Sequence, residues 1–158
     1  MRYSLQWTKG MPTRRSTARW EGGLKGGKGT FKGESGAIGG QYNFSSRFEE
    51  GVGSNPEELL AAAEAACFSM ALAGNLEKNG TPPASIDTEG ACTVSPREGG
   101  FAITGIALKV RAVVPGIDDT KFQELARKTV ETCPVSRTFH GNLDLTVEAT
   151  LSGDTLLS

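Results

Sequence analysis

A long and uniformly apolar helix is the feature that most constrains how this chain can fold. Its start is marked by Ser54 or Asn55 as N-cap and by Pro56 at the first helical position, and it ends at Gly80. The segment between holds about 24 residues, or ~36 Å of helix at 1.5 Å per residue. Over residues 59–72 the side chains are small or apolar on nearly every face. We expect this helix to be buried on most sides and to be the central element of the fold.

The remaining segments are predicted to be strands joined by turns, with one further helix. Alternating apolar residues bounded by turn residues indicate strands at residues 16–20, 29–35, 41–44, 85–94, 101–114 and 143–151. The second helix runs from a cap at Asp118 or Asp119 to Thr132. Glycines cluster between Gly22 and Gly53 and are interpreted as turn residues, because no phosphate-binding motif accompanies them.

The second strand after the long helix changes its apolar face near Gly105. Phe101 and Ile103 occupy odd positions, whereas Ile106 and Leu108 begin a series at even positions. Because side chains alternate between the two faces of a strand, a regular strand would turn these two halves toward opposite sides. A β-bulge near Gly105 would direct both halves to one core.

Length, charge and cysteine usage exclude several classes of protein. A chain of 158 residues suits one domain, which we assign to residues 1–158. Seventeen Lys and Arg against eighteen Asp and Glu give a net charge of -1, so we expect neither nucleic acid nor a membrane as partner. The start lacks the apolar core of a signal peptide, and no run reaches the ~18 apolar residues of a membrane span. Three scattered cysteines do not form a secreted disulfide framework, so we expect a cytoplasmic location.

The candidate nucleophiles are Cys67, inside the long helix, and Cys133, at the end of the second helix. The chain has one histidine and no CxxC, HExxH, GxSxG or P-loop motif. Cys133 continues the apolar face of its helix, three residues after Val130, and is therefore predicted to point inward. Two thiols in such settings indicate redox chemistry carried by sulfur.

A reactive Cys67 requires a cation from elsewhere in the chain. Glu57, ten residues before it, and Glu64, three residues before it, lean toward the same side of the helix. Negative neighbours and burial both disfavour a thiolate, and the helix dipole has faded three turns into the helix. Arg47, predicted to lie in a loop before the helix, could hold the Cys67 thiolate and pair with Glu57. A surface arginine beside acidic neighbours is an equally good interpretation of Arg47.

Two cysteine motifs occur in a specific order within a longer set of short motifs. The set comprises Arg47-Phe48-Glu49, Asn55-Pro56-Glu57-Glu58-Leu59-Leu60, Ala65-Ala66-Cys67-Phe68-Ser69-Met70 and Cys133-Pro134-Val135-Ser136, with further agreement at Arg19-Trp20-Glu21-Gly22, Lys28-Gly29-Thr30, Ser85-Ile86-Asp87-Thr88, Gly100-Phe101-Ala102-Ile103-Thr104 and Pro115-Gly116-Ile117-Asp118. Together these motifs resemble the OsmC branch of the Ohr/OsmC family of thiol peroxidases. The resemblance covers residues 16–151.

The resemblance implies an α+β, OsmC-like fold in which two central helices are wrapped by mainly antiparallel β-sheets in an intertwined homodimer. The two active sites would lie at the subunit interface. The family's peroxidatic cysteine matches Cys67 and its resolving cysteine matches Cys133. Residues that activate and orient the peroxidatic cysteine match Arg47 and Glu57. The family pattern implies no cofactor and no metal ion.

The implied activity is that of an organic hydroperoxide reductase. The Cys67 thiolate would attack the hydroperoxide, release the alcohol and become a sulfenic acid, and Cys133 would then condense with it to a disulfide. A dithiol, expected to be a lipoyl-type group, would reduce that disulfide. The alternative is a noncatalytic dimeric module of the same fold that senses oxidation or binds an apolar ligand. Glu64, which stands where relatives carry an uncharged residue, favours the alternative.

Three features lie outside this pattern. Residues 1–10 are interpreted either as a disordered extension of the domain or as the product of a misplaced start codon. Cys92 is predicted to be a buried structural thiol, and His140 a surface or interface residue. A metal site made of Cys67, Cys133 and His140 would lack a fourth ligand.

Overall fold

The chain divides into two units in the computed structural model, which describes residues 12–152. The first unit is Met1–Asn55 and the second is Pro56–Ser158. The assignment of residues 1–158 to one domain stays a prediction. The extension predicted at residues 1–10 lies outside the described residues.

The first unit is built on a three-stranded antiparallel sheet, close to the three strands predicted there. Its strands are β1 (Ser16–Glu21), β2 (Lys28–Gly33) and β3 (Gly39–Asn43), paired in the order β1-β2-β3. The ring centre of Tyr42 lies 5.5 Å from that of Trp20 and 6.2 Å from that of Phe31. Gly29 makes this aromatic packing possible, because a Cβ there would overlap the Tyr42 ring.

Arg47 lies on a one-turn helix, α1 (Phe44–Phe48), and the predicted loop at this position is therefore wrong. The helix begins with a capping box. Asn43 Oδ1 accepts a hydrogen bond from the Ser46 backbone N–H at 2.8 Å, and Ser46 Oγ accepts one from the Asn43 N–H at 3.0 Å. Ser46 Oγ also donates to the carbonyl of Ser54 at 2.9 Å, which ties the helix to the end of this unit.

The second unit packs helices against a three-stranded mixed sheet. Its elements are α2 (Pro56–Lys78), β4 (Ser85–Arg97), β5 (Gly100–Val113), α3 (Asp119–Thr132), α4 (Pro134–Phe139) and β6 (Asp144–Ser152). The sheet order is β4-β5-β6, with β4 antiparallel and β6 parallel to β5. A parallel pair needs a crossover connection, which α3 and α4 provide. Among the described residues three of the four strand pairs are antiparallel, so the predicted α+β fold with mainly antiparallel sheets is confirmed.

The predicted β-bulge in β5 is confirmed, but Phe101 on its near side is 61% exposed, so the expectation that both halves face one core is wrong for Phe101. Thr93 of β4 pairs with Gly105, whereas the next residue, Val94, pairs with Ile103, so that Thr104 is the extra residue. Beyond the bulge the even-numbered residues of β5 face the core. Ile106, Leu108, Val110 and Ala112 are each at most 1% exposed.

Cys133 occupies the junction of α3 and α4. Helix α3 begins at the predicted cap, where Asp118 accepts a hydrogen bond from the Lys121 N–H at 2.9 Å. Cys133 ends α3 and is also the N-cap of α4, with extended backbone angles of φ -63° and ψ 124°. Pro134 then occupies the first position of a short second helix that the sequence prediction did not contain.

Helix α2 buries one face and exposes the opposite apolar face in the single chain. The buried face includes Phe68, Leu72 and Leu76, each 0% exposed, which belong to one cluster with residues of β5 and α3. The exposed face includes Ala62, Ala63, Ala66 and Met70. Met70 is 75% exposed. The expectation that the helix is buried on most sides is therefore wrong for a single chain.

Helix α2 also meets the length and composition expected of a membrane-crossing helix. Among the described residues, one helix meets both criteria, and it is Pro56–Lys78. Core helices of globular proteins pass the same test, so this property is weak support for a membrane span. The expectation of no membrane partner stays a prediction.

Gly90 allows β4 to lie directly against α2. A Cβ at this position would lie 2.7 Å from the carbonyl oxygen of Ala61 and 3.4 Å from the Cβ of Ala65. Because the obstacle is helix backbone, the strand or the helix would have to move to accept it. We expect Gly90→Ala to lower the free energy of unfolding by about 1–3 kcal/mol, as measured by urea denaturation.

Gly74→Ala is the matched control for Gly90→Ala. Gly74 lies on α2, and a Cβ there would meet no atom within 4 Å. Alanine is the better helix former, so this change should raise the free energy of unfolding by up to about 1 kcal/mol. Equal destabilisation by both substitutions would contradict the close-packing role of Gly90.

Candidate active site

The two cysteines singled out in the sequence meet in the second unit. The Cys133 thiol donates a hydrogen bond to Cys67 Sγ at a sulfur-to-sulfur distance of 3.1 Å. Cys133 is 0% exposed, as its predicted inward orientation requires, and Cys67 is half-buried. Both are free thiols. A disulfide bond has a length of about 2.05 Å, so an approach of roughly 1 Å would join them.

The backbone on both sides of Cys133 holds its sulfur in place. Its N–H donates to the carbonyl of Thr129 at 2.8 Å, which completes the last turn of α3. Its carbonyl accepts from the Arg137 N–H at 3.1 Å, which closes the first turn of α4. Pro134 between them has a fixed φ and no N–H to satisfy. The junction is thus a hydrogen-bonded corner that presents the Cys133 thiol to α2.

The surroundings of Cys67 within the second unit favour the thiol over the thiolate. Burial is the largest cause that raises the pKa of Cys67, and the hydrogen bond with Cys133 is the next. A backbone hydrogen bond at Val135 opposes this rise, whereas the charges of Cys133 and Glu64 add to it. This agrees with the sequence argument that Cys67 needs a cation to become a nucleophile.

Glu64 is a fully buried carboxyl beside the thiols. It is 0% exposed, and Ser136, also 0% exposed, donates to its Oε1 at 2.5 Å. Its other oxygen, Oε2, has no hydrogen-bond partner among the described residues. Burial raises the pKa of Glu64, and the Ser136 hydrogen bond and the charge of His140 oppose that rise. The sequence analysis identified Glu64 as a charge near Cys67 but missed its contact with Ser136.

Glu57 is buried in the first turn of α2, on the same face as Glu64. It is 6% exposed, and its charge acts on Cys92 of β4. The pKa of Cys92 is raised mainly by burial and then by Glu57. Cys92 is half-buried and packs against the edge of the core, so the prediction of a buried thiol is too strong. The proposed action of Glu57 on Cys67 stays a prediction.

Arg47 belongs to the first unit, where it lies among aromatic side chains. Its guanidinium carbon is 5.0 Å from the centre of the Phe48 ring. It also lines an open cavity of about 280 Å³, together with residues that include Trp20, Tyr42 and Phe44. Its predicted role as the activating cation of Cys67 stays a prediction.

The described part of the chain offers no obvious metal centre. Across residues 12–152, no group of three or more His, Cys, Asp or Glu side chains is placed to hold a metal ion. His140, which follows α4, is exposed, as the prediction of a surface residue requires. The groups that the described residues bring together at this site are two adjoining thiols and a buried carboxyl.

Comparison with known proteins assigns the chain to a family. The family model for OsmC-like protein matches residues 49–148, a span that includes both cysteine motifs. Peroxiredoxin OsmC of Escherichia coli (strain K12) is 47% identical over 104 residues, which are 66% of this chain and 73% of that protein. The organic hydroperoxide resistance protein of Xanthomonas axonopodis pv. citri (strain 306) is 35% identical over 98 residues, 61% of this chain and 67% of that protein.

A solved structure shows the same fold. The organic hydroperoxide resistance protein OhrB of Bacillus subtilis superposes with a TM-score of 0.70 at 30% sequence identity. The match covers 87% of this chain and 98% of OhrB. These findings confirm the resemblance predicted from the motifs. The chain belongs to the OsmC-like protein family.

Proposed function

We propose that this protein is a cysteine-based peroxidase that reduces organic hydroperoxides to alcohols. The observation that carries the proposal is the 3.1 Å contact between the sulfurs of Cys67 and Cys133. Two relatives, named as a peroxiredoxin and as an organic hydroperoxide resistance protein, support a peroxidase-type role. Three free cysteines suit a reducing compartment, and we place the activity in the cytoplasm.

The reaction needs only sulfur chemistry. The Cys67 thiolate attacks the terminal oxygen of the hydroperoxide, the O–O bond breaks, and the alkoxide takes up a proton and leaves as the alcohol. Cys67 is then a sulfenic acid. The Cys133 sulfur attacks the Cys67 sulfur, water leaves, and a disulfide forms. An external dithiol, for which we propose a lipoyl-type group, reduces the disulfide by two exchange steps.

Cys67 is the peroxidatic residue in this proposal because it is the more exposed of the two thiols. A hydroperoxide must reach the attacking sulfur, and Cys133 is fully buried whereas Cys67 is half-buried. We assign Arg47 the role of stabilising the Cys67 thiolate and Glu57 that of orienting Arg47. A guanidinium can offset the burial and the Glu64 charge, which both raise the pKa of Cys67.

We also propose that two chains form a homodimer with both active sites at the interface. The support is the exposed apolar face of α2, formed by Ala62, Ala63, Ala66 and Met70. Contiguous apolar surface of this kind is covered in stable proteins by a partner or a membrane. A second α2 offers the same small side chains, which would allow two helices to approach closely.

Single-turnover kinetics test the assigned cysteines. We expect Cys67→Ser to abolish the consumption of tert-butyl hydroperoxide by the reduced protein in stopped flow, because serine is not ionised at neutral pH. Cys133→Ser should consume one equivalent to leave Cys67 as a sulfenic acid, or two equivalents to leave it as a sulfinic acid, and it should form no disulfide between residues 67 and 133, as read by mass spectrometry.

Cys92→Ser is the control, since Cys92 is a half-buried thiol without an assigned role. It should retain the wild-type rate and the disulfide between Cys67 and Cys133. Peroxide consumption that survives Cys67→Ser would overturn the proposal. A wild-type protein that is oxidised once, slowly, and not turned over with dihydrolipoamide would instead support the noncatalytic sensor.

The pH dependence of Cys67 alkylation tests Arg47. Removing an opposite charge raises a thiol pKa, so Arg47→Ala should shift the iodoacetamide profile to higher pH by about one unit and slow the reaction at pH 7 about tenfold. Arg19→Ala is the control, because Arg19 is an exposed arginine of the same unit, with its side chain 74% exposed and paired with Glu21. Superimposable profiles for Arg47→Ala and the wild type would refute the assigned role.

Sedimentation velocity tests the dimer. We expect the wild type to sediment as a dimer and Met70→Glu to shift it toward the monomer, because a carboxylate would be buried in an apolar interface. Lys128→Glu, at an exposed position of α3, should leave the dimer intact. A monomeric wild type at micromolar concentration would contradict the proposed assembly.

A further inference from the structure

The contact between Glu64 and Ser136 repeats the contact between the two thiols one helical turn away. Glu64 lies three residues before Cys67 on α2, and Ser136 lies three residues after Cys133 on α4. The two pairs therefore form neighbouring rungs between α2 and the α3–α4 corner. One rung is the 3.1 Å contact between thiols and the other is the 2.5 Å hydrogen bond between Ser136 Oγ and Glu64 Oε1.

The buried Glu64–Ser136 pair lowers the stability of the core relative to a pair of apolar side chains. Both of its residues are 0% exposed, and the remaining carboxyl oxygen of Glu64 has no hydrogen-bond partner among the described residues. Burying a carboxyl with one unsatisfied oxygen costs several kcal/mol relative to an apolar side chain. Any arrangement of α2 and α4 that breaks the bond would leave the Ser136 hydroxyl and the second carboxyl oxygen of Glu64 unsatisfied as well, which disfavours the alternatives.

We propose that Glu64 and Ser136 are positioning residues for the resolving step, and that their hydrogen bond holds the Cys133 sulfur against Cys67 until the disulfide forms. This inference rests on the proposed function. It assigns no contact with the hydroperoxide to either residue. The bond acts on the α3–α4 corner, because Ser136 belongs to the first turn of α4 and Cys133 is the N-cap of that helix.

The Glu64–Ser136 hydrogen bond affects the competition between two reactions of the oxidised Cys67 sulfur. After its reaction with the first hydroperoxide Cys67 is a sulfenic acid, and the Cys133 sulfur can attack it with loss of water. A second hydroperoxide can instead transfer an oxygen to the sulfenic acid, which gives a sulfinic acid and an alcohol. The sulfinic acid is not recovered by a dithiol. A corner that holds Cys133 in place favours the disulfide in this competition.

Glu64 also affects the pKa of Cys67 through its charge. Its charge and its hydrogen bond can be removed separately by substitution. The charge of Glu64 raises the pKa of Cys67, so that a neutral acceptor in its place should lower that pKa. Among residues 12–152 the other titratable groups that act on Glu64 or Cys67 are Cys133 at the corner and His140 after α4, and the charge of His140 lowers the pKa of Glu64. Glu64→Gln keeps an oxygen that can accept from Ser136 and removes the charge. Ser136→Ala keeps the carboxyl and removes the donor.

Single-turnover oxidation with one equivalent of tert-butyl hydroperoxide separates the two steps. We expect Ser136→Ala to lose its first thiol within about twofold of the wild-type rate and to form the disulfide at least tenfold more slowly. In a parallel reaction with ten equivalents of the hydroperoxide, Ser136→Ala should accumulate more sulfinic acid than the wild type. Glu64→Gln should retain disulfide formation within about threefold and shift the alkylation profile of Cys67 to lower pH. Disulfide and sulfinic acid are quantified by mass spectrometry after rapid quenching.

Asn75→Ala is the matched control. Asn75 Nδ2 donates to Thr129 Oγ1 at 2.9 Å, a second polar bond between α2 and the helix that leads to Cys133. Its loss should lower the melting temperature and leave both oxidation steps at wild-type rates. A slow disulfide step in Asn75→Ala would show that general loosening, and not the Glu64–Ser136 bond, is responsible, and would overturn the proposal.

A chemical oxidant makes the inference independent of peroxidase activity. Diamide oxidises paired thiols to a disulfide without a hydroperoxide, so its disulfide step can be followed even if the wild type consumes no peroxide. A wild-type rate of disulfide closure in Ser136→Ala with both oxidants would overturn the positioning role. A Glu64→Gln protein that closes as slowly as Ser136→Ala would also overturn it, since the accepting oxygen is retained.

Discussion

The burial of one face of α2 is the constraint on which the second unit depends. Phe68, Leu72 and Leu76 are fully buried, and each such side chain contributes roughly 1.5–3 kcal/mol to stability, so together they fix the rotation of the helix about its axis. Cys67 precedes Phe68 and is turned by about 100° from it, which places it at the border between the buried and exposed faces. The same rotation sends Glu64 into the core and Met70 to the surface.

The sequence predicted those elements that are marked by a capping residue or by an alternation of apolar and polar residues. The cap at Asp118, the bulge beside Gly105 and the alternation in β4 follow from periods of two and from single capping residues, and each occurs as predicted. Helices α1 and α4 are five and six residues long, too short for a helical period to emerge from the sequence. The exposure of α2 depends on what covers it, which uniformly apolar residues do not specify.

The sequence predicted the two cysteines of the candidate site and the charge of Glu64 near Cys67, but not the hydrogen bond that Glu64 makes. The cysteine motifs indicated two thiols that meet, and the structure brings their sulfurs together across a separation of 66 residues. The hydrogen bond between Glu64 and Ser136 spans 72 residues and joins two residue types that are common in helices and turns. No periodicity or motif chemistry links such a pair, because their contact is set by how α4 packs on α2. Local sequence patterns likewise do not determine the distance between Arg47 and Cys67, because it depends on tertiary structure.

The parallel pairing of β6 with β5 has a consequence for the redox states of the protein. It anchors both ends of the α3–α4 crossover to neighbouring strands, so the corner with Cys133 is held against α2 by the chain on either side. A disulfide there would close a loop of 66 residues without moving those ends. By the chain-entropy argument such a cross-link restricts the unfolded chain by about 4 kcal/mol. Oxidation would therefore raise the free energy of unfolding of the second unit, and each reduction of the disulfide would lower it again.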